Sequence, residues 1–131
     1  MNTGDHVQPA GTDPKAAPVL DCAQIDGLVV AAGVDGAREI LAAYWRSSET
    51  LIRALQDQLG RGDFIEASRT AHALKGSSLN VGAMRLSCGA RAIEDACRTQ
   101  DKESALKRVT VVETQYAETV AAFDAHLGKA A

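Results

Sequence analysis

The chain has 131 residues, room for one domain with a buried core but not for two. Hydrophobic residues make up 46%, charged residues 24% and aromatic residues only 4%, and the abundant alanine favours close helix packing over a β-sandwich. A formal net charge of −3 gives no electrostatic reason to expect nucleic acid, and no apolar stretch approaches the roughly 20 residues of a membrane span.

Residues 1–18 hold all three prolines (Pro9, Pro14 and Pro18) in a polar setting, which predicts a disordered tail containing the isolated His6. The segment lacks the basic-then-apolar order of a secretory signal, so the expected location is cytoplasmic. Residues 19–128 form the expected folded domain. Asp21 can cap a short helix running to about Ala32 and ended by Gly33. A longer helix follows from Asp35 to about Leu59, with Ile40, Leu41, Tyr44, Trp45, Leu51, Ile52 and Leu55 recurring at three and four. Gly60-Arg61-Gly62 stops it.

Asp63 then caps a third helix to about Leu79, with Glu66 placed as its capping-box partner. Asn80 and Gly82 break that helix, and a fourth runs from about Ala83 to Thr99. A fifth, from about Lys102 to Leu127, repeats Leu106, Val109, Tyr116, Val120, Phe123 and Leu127 at near-heptad spacing. No segment alternates as a strand does. The expected fold is all-α, an antiparallel four-helix bundle with a short additional N-terminal helix.

The third helix carries the informative face. At about 100° per residue, Ala67, Thr70, Ala71, Leu74 and Ser78 gather opposite His72 as a small, apolar core face. The His72 side holds Ile65, Ser68, Arg69, Lys75, Gly76 and Leu79. Gly76 sits mid-helix, where glycine costs about 1 kcal/mol relative to alanine, and leaves the ring one turn away uncovered. Lys75, at i+3, is near enough to act on a group attached to the imidazole. Ile65 and Leu79, one heptad either side of the histidine, would be exposed on a monomer, as docking residues are.

A neutral imidazole is a competent nucleophile near pH 7, and phosphoryl transfer depends mainly on positioning and charge compensation. The bland reading of a lone histidine is a solvated surface residue. The joint arrangement argues against it: histidine off the core face, lysine at +3, an unfavourable glycine at +4 and apolar flanks. Other chemistries fare worse. There is no GxxxxGK[ST] or GxGxxG loop for a nucleotide. The residues three before His6, His72 and His126 are Thr3, Arg69 and Phe123, so the Glu-x-x-His pattern of a di-iron bundle is absent. Cys22, Cys88 and Cys97 have no CxxC spacing and read as small hydrophobes. His126 near the C-terminus can complement a helix dipole.

The run His72-Ala73-Leu74-Lys75-Gly76-Ser77-Ser78, followed by Gly82-Ala83, Leu86 and Ile93-Glu94…Cys97-Arg98, resembles the histidine-containing phosphotransfer family. The likeness extends in order and spacing over roughly Leu20 to Leu127, with Ile93 in place of the commoner Leu. It implies a multistep phosphorelay in which His72 accepts a phosphoryl group from the aspartate of a hybrid kinase's receiver domain. The group then passes to the receiver domain of a response regulator. Lys75 carries over as the phosphate-stabilising residue and Gly76 as the position giving access. Ile65, Ser68, Arg69 and Leu79 are the expected docking residues. The receivers bring the magnesium-binding acids, so no cofactor or metal is expected here, nor any ATP-dependent kinase activity. A bundle that docks receivers without relaying is the rival reading.

Overall fold

The computed structural model describes residues 17–130. Four helices follow in order: α1 (Cys22–Gly60), α2 (Phe64–Asn80), α3 (Met84–Arg98) and α4 (Lys102–Ala130), with no strand among the described residues. Of the segment predicted as a tail, residues 1–16 lie outside the described residues. Ala17 is buried, and its carbonyl accepts a 2.8 Å bond from Arg85 Nε.

The caps follow from local chemistry. Asp21 Oδ1 accepts from Gln24 N at 3.3 Å, and Asp63 Oδ1 accepts from Glu66 N at 3.1 Å. Only half of the predicted capping box forms at α2, because the Glu66 carboxylate pairs with Arg69 at 2.9 Å. The short first helix and the long second one are two arms of α1. Gly33 alone leaves helical geometry between them, with φ 78° and ψ 169°. Each of the three connections between helices turns on a positive-φ residue, at Gly62, Gly82 and Gln100.

α2 packs between α1 and α3, and α4 closes the ring between α3 and α1. Short connections make successive helices antiparallel. Ile25, Leu55, Leu59, Leu74, Leu86, Ile93, Val112, Phe123 and Leu127 fill the middle. Small residues let α2 and α3 approach their neighbours: Ala67, Ala71, Ala83 and Ala90 are fully buried, and a Cβ at Gly89 would collide with the Gln115 side chain. Trp45 stands edge-on to Phe123 and Tyr116, with centroids 5.4 and 5.7 Å away. Tyr44 on α1 shares a buried 2.6 Å hydrogen bond with Ser78 on α2, which fixes the rotation of α2 about its own axis. No helix among the described residues is long and apolar enough to cross a membrane.

Candidate functional site

That rotation decides which face of α2 meets solvent. Ala67, Ala71, Leu74 and Ser78 are buried, as the wheel predicts. Thr70 is half-buried at the α1 seam, where its hydroxyl donates to Gln58 Oε1 at 2.9 Å. The opposite face carries His72, whose side chain is 68% exposed. Ile65 is 70% and Leu79 44% exposed. A Cβ placed at Gly76 would have no atom within 4 Å, so the space one turn beyond the histidine is open.

The structure adds a residue whose role sequence reasoning missed. Glu94 reaches across from α3 and bridges two members of the α2 face: Oε2 lies 3.1 Å from His72 Nδ1, and Oε1 lies 2.9 Å from Lys75 Nζ. Glu94 is only 18% and Lys75 25% exposed, so the pair sits at the seam while the imidazole stands proud of it. Lys75 was expected to face a group on the imidazole; in this state its ammonium is held on the carboxylate. Burial works to raise the Glu94 carboxyl, but the bonds and charges of Lys75 and His72 outweigh it and hold the group below the usual carboxylate range. The position had a signal of a kind. His72 lies ten residues before Gly82 and Glu94 twelve after it, so a helical hairpin turning there brings the two abreast. Ser87, whose Oγ donates to the Lys75 carbonyl at 3.2 Å, sets the same register.

An ionised carboxylate only accepts hydrogen bonds, so the neutral imidazole places its proton on Nδ1 toward Glu94. Nε2 is then the nitrogen with the free lone pair, on an exposed ring beside an open glycine position. That is the geometry of a nucleophile ready to take an electrophile from a docked molecule.

The four expected docking residues do not form one pocket. Ile65, Ser68 and Arg69 line a shallow cavity of about 380 Å³ together with Cys97 and Arg98. Leu79 shares their helix face but lies 14 residues from Ile65, roughly 21 Å along the axis, beside the start of α1. His126 has a partner as well: its Nε2 pairs with Asp26 Oδ1 at 2.7 Å, which ties α4 to the first arm of α1. His6 lies outside the described residues. None of the cysteines is in a disulfide, and burial pushes the Cys88 and Cys97 thiols up.

The Hpt domain family model matches residues 39–124, from the second arm of α1 through most of α4. No curated protein matches the chain. Among solved structures, the chain is similar to histidine-containing phosphotransfer protein B of Pseudomonas aeruginosa. The TM-score is 0.78 at 26% identity, covering 87% of this chain and 98% of that one. It shares its fold with a histidine-containing phosphotransfer protein of Medicago truncatula, with a TM-score of 0.74 at 22% identity over 96% of this chain and 92% of that one.

Proposed function

The chain belongs to the Hpt domain family, and from that premise we propose that it carries a phosphoryl group on His72 between the receiver domains of a phosphorelay. The observation that carries the reading is the exposed His72 ring with Nδ1 engaged by Glu94, which leaves Nε2 as the attacking atom. The Nε2 lone pair attacks the phosphorus of a receiver's aspartyl phosphate. The N–P bond forms as the P–O bond breaks, and the released electron pair stays on the aspartate carboxylate. The ring keeps its Nδ1 proton and carries a positive charge against the Glu94 carboxylate. Reversal onto a second aspartate completes the relay.

Gly76 leaves room for the receiver's reacting edge, and Lys75 supplies the cation for the phosphoryl oxygens. The donor is the receiver of a hybrid kinase and the acceptor that of a response regulator, each bringing its own magnesium-binding acids. The experiment is transfer from a labelled, phosphorylated receiver to this protein and to His72→Gln. The expected result is acid-labile, base-stable label on the wild type and none on the variant. Docking without label on the wild type, across several receivers, would leave an adaptor instead.

A further inference from the structure

α1 changes direction at one residue. Gly33 holds φ 78° and ψ 169° between two helical arms, 22–32 and 34–60, in a backbone region that is essentially glycine's alone. The apolar faces of the arms account for the bend. The first arm turns Ile25, Leu28 and Val29 onto the core, and the second turns Ala37, Leu41 and Tyr44 onto it. At about 100° per residue along an unbroken helix, the second set would lie roughly 100–160° round from Ile25. A straight α1 therefore could not apply both faces to one bundle, and the kink resets the phase. The same wheel gives Val30 a place. It is 88% exposed, with Ala31 and Ala32 exposed beside it. In a straight helix it falls about 140° from Ile25, in line with the buried stripe of the second arm.

Few groups hold the first arm against the end of the bundle. Ile25 is fully buried there. Asp21 N donates to the Gly82 carbonyl at 2.8 Å, Gln24 Nε2 donates to the Leu79 and Asn80 carbonyls, and His126 pairs with Asp26. None of these contacts depends on which chain supplies the arm. We propose that the first arm is exchanged between two copies of this chain. With Gly33 helical, α1 runs straight past its own bundle and lays its Ile25 face into the end of a second copy, which returns its own arm. The phase offset fits this occupant, because a straight α1 directs Ile25 away from its own core and toward a bundle on its other side. Val30 and the half-buried Val34 then continue the buried stripe and face the arm arriving from the second copy. The exchange is reciprocal, so it closes as a two-fold dimer and leaves no arm unpaired. Gln24 caps the end of α2 beside Leu79. On the proposed function, each docking face of the dimer is thus completed by the other chain.

Gly33→Ala tests this in the full chain. Alanine is disfavoured at the Gly33 backbone angles and favours the straight helix. No atom lies within 4 Å of the added Cβ, so the change acts on the hinge and not on packing. Gly33→Ala should strengthen dimerisation about a hundredfold, roughly tenfold from each chain. Light scattering reads the mass, and isotope-filtered NMR on mixed labelled and unlabelled chains should find Ile25 against the core of the other chain. Gly27→Ala adds a methyl group to the same arm, in equally open space, without touching the hinge, and should associate no more than wild type. A Gly33→Ala protein that stays folded and monomeric at about 1 mM, near the effective concentration that a short tether gives the arm on its own bundle, would overturn the proposal. So would a dimer that keeps Ile25 in its own chain, or equal association of the two variants. If Gly33→Ala does not fold, wild type refolded from urea at that concentration decides: a slowly dissociating, arm-exchanged dimer is expected, and monomer alone would sink the idea.

Discussion

At Gly76 helix propensity and access pull in opposite directions. A mid-helix glycine gives up about 1 kcal/mol against alanine, and nothing around this one demands it sterically, since an added Cβ would meet no atom within 4 Å. On the proposed function, such a residue serves the molecule that docks from outside. Gly76→Ala should therefore raise stability by about 0.5–1 kcal/mol in urea unfolding. It should also slow transfer on the order of tenfold, because a methyl group one turn beyond His72 displaces the incoming aspartate. Loss of both stability and transfer would place Gly76 in the packing instead. His72, Lys75 and Gly76 were legible in the sequence because their spacing lies within one helix, where 100° per residue converts positions into faces. Glu94 was in view only as part of a pattern on the next helix. Its role depends on the register between two helices, which the side chains at the seam set and no single-helix period reveals.

Among the elements, the boundaries could be read from local chemistry, but the distant partners that complete some of them could not. Asp21 and Asp63 cap where the sequence places them, and Gly33, Gly62 and Gly82 turn where glycines are expected. The start of α3 is marked by the break at Gly82 but has no side-chain cap, since Ala83 has no polar group to offer. The Val19 carbonyl serves instead, accepting from Met84 N at 3.1 Å and Arg85 N at 3.4 Å. Gln24 does the converse for the end of α2, its Nε2 donating to the Leu79 and Asn80 carbonyls at 2.8 and 2.7 Å. One short stretch thus satisfies the orphan groups on both sides of the α2–α3 turn, although it lies outside the span matched by the family model. Gln24→Ala should lower stability by about 0.5–1.5 kcal/mol and speed amide exchange around the α2–α3 turn. Exchange in the middle of α2 should stay unchanged, which a hydrogen-exchange experiment resolves residue by residue. Acceleration along the whole of α2 would mean that the N-terminal stretch holds the helix and not just its end.

For the molecule as a whole, the bundle sets His72 on a helix flanked by α1 and α3, with its side chain turned largely to solvent. Such a surface does not enclose a small substrate; on the proposed relay, the second half of the site arrives with the receiver, and the interface must hold long enough to react yet release afterwards. A patch centred on His72 and about 800 Å² per partner reaches some 15 Å in each direction, enough to cover Ile65 at one end and Leu79 at the other. Binding and chemistry should then separate by position. Ile65 is 70% exposed and supports no core, so Ile65→Ser should leave folding within about 0.5 kcal/mol of wild type. It should weaken receiver binding several-fold while leaving the transfer rate at saturation near wild type. Lys75→Glu should do the reverse, with binding close to wild type and transfer at saturation reduced by tenfold or more, since the charge acts on the phosphoryl group as it passes. Calorimetric affinities set beside single-turnover rates for the two variants distinguish the roles. Equal losses in binding and in transfer for Lys75→Glu would mean that the lysine contributes to docking and that the phosphoryl group finds its countercharge elsewhere.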